Sequence, residues 1–156
     1  MSDRIPSVGD PKWTGDFYDD SEEMILARVI FGEARSQSEE AKIWVAGSVL
    51  NRVKSSAWSN SVHEVILKRD QYKSFNLDDP NLKFVTDPLL DTTQKDSWKE
   101  SFKIAAGILE GSIQNPTKAT HFHDPRQSQE SYIQDIVPNG EFLKRIGDIF
   151  FYWRPN

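Results

Sequence analysis

A run of apolar residues at helical spacing leads to a single carboxylic acid early in the chain. Leu26, Val29 and Ile30 precede Glu33 by seven, four and three residues, the spacing that puts side chains on one face of an amphipathic helix. Glu33 is therefore predicted to face a core. A carboxyl group withdrawn from water is costly to ionise, so its pKa should exceed the ordinary value of about 4.3, as a general acid requires. The alternative is that Glu33 lies at the helix end and pairs with Arg35.

The composition predicts one folded domain. The chain has 156 residues, 37% of them hydrophobic, with nine Phe, five Trp and four Tyr, which suffices for a single core. Residues 1–20, with two Pro and two Gly, are expected to form an extended N-terminal arm, and residues 21–156 the domain. The net charge of -5, without a basic run, excludes nucleic acid as a principal partner.

Neither a membrane span nor a secretory signal is predicted. No stretch approaches the roughly 20 apolar residues of a membrane span, and residues 1–20 lack the apolar core of a signal peptide. We therefore expect the chain to be made in the cytoplasm. A substrate outside the membrane would then require an export partner, or a holin-like partner that opens the membrane.

Periodicity and capping signals favour a mainly helical α+β fold. Four helices are predicted: Asp20 to about Arg35, Ser38 to about Val53, Ser61 to about Arg69, and Trp98 to near Gly111. The second helix is apolar over much of its circumference and is expected to be central to the fold. Its small residues Ala46 and Gly47 should allow another helix or strand to pack closely against it. Residues 70–92 predict a long surface loop. Residues 119–123 and 146–153 predict two short strands joined by a polar loop.

Five segments occur in an order that is typical of one enzyme family. They are Leu26–Arg35, Glu39–Lys42 with Val45–Val53, Asp70–Tyr72, Ala119–His123, and Ile146-Gly147 with Phe151-Tyr152. Together they resemble the SleB-type cell wall hydrolases, which include spore-cortex-lytic enzymes. The resemblance covers roughly residues 22–154 and rests on the order of the five segments.

The resemblance implies a lysozyme-like fold that acts on the glycan strands of peptidoglycan, typically as a lytic transglycosylase without a cofactor. Glu33 matches the family's catalytic glutamate. It would protonate the oxygen between N-acetylmuramic acid and N-acetylglucosamine, then act as base while the muramic acid 6-hydroxyl attacks its own anomeric carbon. The product would carry a 1,6-anhydro end. This chemistry needs one carboxyl, and the matching segments offer no second inward carboxylate.

Five other residues match family positions that line the cleft. Their amide, hydroxyl and imidazole groups are suited to binding N-acetyl groups and sugar hydroxyls; they are Gln71, Tyr72, Thr120, His121 and Tyr152. The alternative for the two tyrosines is aromatic core, and for Thr120 an ordinary strand position.

A metal site at the histidines is the weaker interpretation. His121 and His123 share one face of a strand, with Asp124 nearby, but no third ligand is identifiable and the only other histidine is His63. We expect no metal, with one histidine orienting a cleft group and the other structural.

The chain also departs from the family pattern. Ile149 stands where a histidine often precedes the closing Phe-Tyr, and the usual Pro and Trp after the histidines have no clear counterpart among residues 127–133, although Tyr132 partly replaces the Trp. A monomeric, free-standing lysin of phage origin is consistent with this pattern. The alternatives are a muramidase that uses water, and a non-catalytic glycan-binding or virion structural protein of the same fold.

Overall fold

The computed structural model describes residues 4–69, 71–127 and 132–154. Within these ranges the helices are α1 (Glu22–Ala34), α2 (Glu39–Lys54), α3 (Val62–Leu67), α4 (Leu82–Thr86), α5 (Lys95–Glu110) and α6 (Val137–Asn139), and the strands are β1 (His121–His123), β2 (Glu141–Ile146) and β3 (Ile149–Trp153). Short 3₁₀ turns lie at Phe17–Asp19, Lys73–Phe75, Thr92–Gln94 and Pro125–Gln127, and a π-helical turn at Tyr132–Ile136.

The first helix, α1, is the centre of the fold. All eight residues from 24 to 31 are buried, and α1 packs against α2, α3, α4 and α5. Helix α2 is also central, as predicted, because it packs against α1, α3, α5 and β1, but α1 has the longer continuous buried stretch. The small residues of α2 do admit a neighbour, since Asn115 Nδ2 donates to the Gly47 carbonyl at 3.3 Å.

One buried cation joins three parts of the chain. The Arg28 guanidinium, fully buried in α1, donates to Asp20 Oδ2 at 2.7 Å, to the Val85 carbonyl at 2.7 Å and to the Pro11 carbonyl at 2.6 Å. Asp20 is itself 5% exposed. A buried charge needs such partners because it has lost its hydration. Arg28 therefore fixes the arm and helix α4 against α1.

The predicted capping box at Asp20 is wrong by one residue. Ser21 is the N-cap of α1, and its Oγ accepts the Met24 N–H at 3.1 Å. Asp20 cannot serve as the cap because its carboxylate is the counterion of Arg28.

The other helix ends follow the sequence closely. Ser38 and Ser61 are the N-caps of α2 and α3, with their hydroxyls accepting the Ala41 and Glu64 N–H groups. Helix α5 ends at Gly111, whose φ of 91° is the left-handed conformation that favours glycine.

Residues 71–92 contain more regular structure than predicted. The 3₁₀ turn Lys73–Phe75 and helix α4 interrupt the loop. Val85 in α4 is fully buried, and Tyr72, Phe75, Phe84 and Leu89 of the same segment also pack into or against the core. The segment is a wall of the domain and not a free excursion.

The small sheet has the order β1-β3-β2, with antiparallel pairs throughout. His121 and His123 pair with Tyr152 and Phe150. The sequence predicted β1 and β3 but assigned β2 to a polar loop, because this edge strand is mostly exposed. The turn between β2 and β3 is Gly147-Asp148, with a Gly147 φ of 59°, and a Gly-Asp pair between two apolar runs is a hairpin signal.

The described part of the N-terminal arm is packed on the helices. The Trp13 backbone N–H donates to the Thr86 carbonyl at 2.8 Å, and the indole Nε1 of Trp98 donates to the Val8 carbonyl at 2.9 Å. Its division from the domain at residue 20 stays a prediction. Among the described residues, none of the helices is long and apolar enough to cross a membrane.

Replacing Arg28 with Met should lower the free energy of unfolding by about 3–5 kcal/mol, because the buried Asp20 carboxylate loses its only ion pair among the described residues. Urea denaturation measures the change. The double variant Asp20→Leu/Arg28→Met should recover part of the loss, since no charge then remains buried. A single variant that loses less than about 1 kcal/mol would contradict the central role of this ion pair.

Candidate active site

An open cavity of ≈ 280 Å³ lies where the end of α1 meets residues 71–81 and the sheet. Most of its lining side chains are polar or charged and can form hydrogen bonds with a polar ligand. The lining residues are Gly32, Glu33, Arg35, Ser36, Gln37, Gln71, Tyr72, Lys73, Ser74, Asp79, Asn81, Gln94, Phe122, His123, Asp124, Arg126 and Ile149.

Glu33 sits in this cavity on the last turn of α1. The Ser74 backbone N–H donates to Glu33 Oε2 at 3.0 Å, which fixes the carboxyl group against the 3₁₀ turn Lys73–Phe75. The alternative pairing with Arg35 does not form, because the Arg35 guanidinium donates to Asn81 Oδ1 at 2.8 Å and lies over the Phe84 ring. Glu33 thus faces inward, as predicted.

The glycine before Glu33 makes this contact possible. A Cβ atom at residue 32 would lie 2.8 Å from Ser74 Cβ and 2.7 Å from Val85 Cγ2, distances that side chains essentially never adopt. Gly32 therefore lets the 3₁₀ turn approach α1 closely enough for the Ser74 N–H to reach the carboxyl group.

Burial raises the pKa of the Glu33 carboxyl above its ordinary value. Hydrogen bonding to Ser74 and the charge of Lys73 act in the opposite direction, whereas the negative charge of Asp79 adds to the rise. The buried Ser74 hydroxyl has no hydrogen-bond partner among the described residues. The backbone N–H is thus the donor that fixes Glu33. The residue keeps partial exposure on the cavity side.

Two of the five predicted cleft residues line the cavity. Gln71 and Tyr72 do so, and both are held by Arg52, which donates to Gln71 Oε1 at 3.0 Å and lies 5.2 Å from the Tyr72 ring centre. Because Oε1 is engaged, the Gln71 Nε2 group is left to donate to a ligand. Asp70, which belongs to the same motif, lies outside the described residues.

The other three predicted residues, Thr120, His121 and Tyr152, are not among the described lining residues of the cavity. The Thr120 carbonyl accepts from Arg52 at 2.6 Å, and its Oγ1 lies 3.0 Å from His121 Nδ1. Burial and the charge of Arg52 lower the pKa of His121 to about 3. Tyr152 is 5% exposed, with its hydroxyl 3.3 Å from His123 Nε2. A direct substrate-binding role for all five residues stays a prediction.

The histidine that lines the cavity is His123, whereas the sequence predicted His121 as the cleft residue. Burial lowers its pKa, and its ring lies 5.4 Å from that of Tyr152. In the described part of the chain, no three His, Asp or Glu side chains are arranged to hold a metal ion. Lining residues that the motifs did not indicate include Asp79, Asn81, Asp124 and Arg126, which come from loops that lack a periodic signal.

A sequence model of the family described as Cell Wall Hydrolase matches residues 36–152. The chain belongs to this family. The matched range of this cell wall hydrolase begins three residues after Glu33, so the assignment of the acid rests on its geometry. No curated protein matches the chain significantly.

Two solved structures are similar to this cell wall hydrolase. The catalytic domain of the germination-specific lytic transglycosylase SleB from Bacillus anthracis has 22% identity and a TM-score of 0.58, covering 84% of this chain and 93% of that chain. The catalytic domain of the Bacillus cereus SleB protein has 20% identity and a TM-score of 0.53, covering 84% and 88%. The predicted SleB-type family and the lysozyme-like, mainly helical α+β fold with a small sheet are confirmed.

The direction of the Glu33 pKa predicts the pH dependence of activity. A general acid must start protonated, and a carboxyl with a raised pKa stays protonated until the pH passes that raised value. The rate should therefore fall on the alkaline side, with an apparent pKa above the ordinary glutamate value of 4.5. The pH profile of kcat/KM on purified peptidoglycan measures it. An alkaline limb centred at or below the ordinary value would contradict the buried acid.

Proposed function

We propose that this chain is a peptidoglycan lytic transglycosylase that cleaves the bond between N-acetylmuramic acid and N-acetylglucosamine, with Glu33 as general acid and then base. The observation that carries the proposal is a carboxyl group whose pKa is raised by burial, in a polar cavity of this family's fold. Perturbed carboxyls in clefts are typical of catalytic acids. The lytic transglycosylase named among the solved structures supports the reaction type.

In the first half of the reaction, Glu33 transfers its proton to the glycosidic oxygen. The bond between that oxygen and the anomeric carbon breaks, its electron pair stays on the oxygen, and positive charge develops on the muramic acid ring. Glu33 becomes a carboxylate. The Ser74 N–H, 3.0 Å from Oε2, stabilises this anion more than the neutral acid, because hydrogen bonds to charged acceptors are stronger.

In the second half, the Glu33 carboxylate takes the proton of the muramic acid 6-hydroxyl. The oxygen of that hydroxyl forms a bond to the anomeric carbon of the same sugar, which gives a 1,6-anhydro ring and restores the protonated acid. No water is consumed. One carboxyl therefore completes the cycle, in contrast to the two carboxylates of most glycosidases.

The polar walls of the cavity are suited to sugar binding. Gln71 Nε2 and Asn81 Nδ2 supply neutral donors for N-acetyl and hydroxyl groups. Phe122 adds an aromatic surface. Such a mixture of amides and an aromatic ring recognises an uncharged glycan better than a phosphate-rich ligand.

Replacing Glu33 with Gln should reduce cleavage of purified peptidoglycan by at least about 100-fold while the fold is kept, because the near-isosteric amide has no transferable proton. The control is Glu22→Gln, an exposed position in the first turn of the same helix, which should keep the wild-type rate. Equal turnover by Glu33→Gln and wild type would refute the role of Glu33.

Mass spectrometry of the wild-type products separates the reaction types in the same experiment. Muropeptides with 1,6-anhydro ends support the transglycosylase. Reducing ends would mean that water is the nucleophile and that the chain is a muramidase, and no cleavage by wild type would mean a glycan-binding or virion structural protein of this fold.

A further inference from the structure

The cavity that holds Glu33 also contains a second buried carboxylate. Asp79 is 8% exposed and lines the same walls as Glu33, whereas the adjacent Asp78 is exposed. Carboxylates are rarely buried unless paired. Within the described residues no cation lies within ion-pair distance of Asp79, so its place in the cavity calls for a functional explanation.

A relay of hydrogen bonds from α1 holds Asp79 in place. The Arg35 guanidinium donates to Asn81 Oδ1 at 2.8 Å, and the Asn81 backbone N–H donates to Asp79 Oδ1 at 2.8 Å. Arg35 is fixed in turn by its position 4.9 Å from the Phe84 ring centre. The Asp79 carboxylate is therefore positioned, through Asn81, by the residue that lies two places after Glu33.

The other acidic group of the cavity is engaged differently. Asp124 forms an ion pair with Arg126 at 2.7 Å, and hydrogen bonding to Arg126 lowers its pKa. A carboxylate that is paired with a neighbouring arginine exerts little net electrostatic attraction on a ligand. Asp79 makes no such ion pair among the described residues; the charge of Arg35 acts on it from a longer distance, and its own negative charge reaches Glu33.

We propose that Asp79 is a second functional carboxylate of this cleft, which stabilises the positive charge that develops on the sugar ring as the glycosidic bond breaks. The inference rests on the proposed function of the site. Asp79 forms no bond and accepts no proton in this role; it acts through its charge, from a side chain that is only 8% exposed. The same charge helps Glu33 to keep its proton until the substrate accepts it.

Three variants test the role of Asp79 in catalysis. Asp79→Asn keeps an oxygen that can accept the Asn81 N–H but loses the charge, so kcat/KM should fall by roughly 10- to 100-fold. The alkaline limb of its pH profile should move to lower pH, because Glu33 loses the negative neighbour that raises its pKa while Lys73 remains. Asp79→Glu, which keeps the charge, should retain the wild-type limb. Asp78→Asn, on the exposed neighbour, should match wild type in both measures.

A binding experiment tests the charge directly. A protonated iminosugar that carries an N-acetyl group mimics the cationic ring, and N-acetylglucosamine is its neutral counterpart. By calorimetry, Asp79→Asn should weaken binding of the iminosugar by about 10-fold and leave binding of N-acetylglucosamine unchanged. Three results for Asp79→Asn would each overturn the proposal. The variant could keep the wild-type kcat/KM and the wild-type alkaline limb, it could bind the iminosugar and N-acetylglucosamine equally more weakly, or it could lose activity while the alkaline limb stays in place. Active Glu33→Gln would instead refute the proposed function itself.

Discussion

The packing of Ser74 on Gly32 sets the chemistry of the cleft, because it brings a wall of protein over the end of α1. With a hydrogen atom as the only side chain at residue 32, the turn Lys73–Phe75 and Val85 approach the helix closely. Water is displaced from one side of the Glu33 carboxyl, and a single backbone N–H replaces it. One hydrogen bond in place of several waters leaves the charged form disfavoured, so that the acid holds its proton.

The wall itself depends on a buried ion pair one helical turn before Gly32 on α1. Arg28 binds Asp20 and the Val85 carbonyl, and Val85 is also the residue that meets Gly32. Burying an arginine costs little free energy only while each of its N–H donors has a partner, and the partners of Arg28 lie on the arm and in α4. The position of the acid is thus linked to residues that are remote from it in the sequence.

Local signals predicted the parts of the structure that local interactions determine. The stripe of Leu26, Val29 and Ile30 placed Glu33 facing inward, and the serine caps of α2 and α3 were found from side chains that bond to backbone groups three residues away. The errors have long-range causes. The sequence predicts Asp20 as a cap because nothing local shows that Arg28 needs a counterion. Asp79 was missed because a loop acid enters the cavity only through the Arg35 and Asn81 contacts. Strand β2 is an exposed edge whose only local signal is its turn.

The histidines show how burial changes the meaning of a motif. The spacing of His121 and His123 raises the question of a metal site, and burial lowers the pKa of both, so both are neutral at neutral pH. The charges that act on a neutral glycan in the cleft are therefore chiefly those of its carboxylates and of Lys73, Arg35 and Arg126.

A titration of the Glu33 carboxyl by carbon-detected NMR, with Glu33→Gln used to assign its signal, tests the central claim most directly. Burial beneath Ser74 predicts one titration centred above the ordinary glutamate value of 4.5. A carboxyl that titrates at or below that value would show that Glu33 is solvated or ion-paired, and would contradict its role as the acid of the cleft.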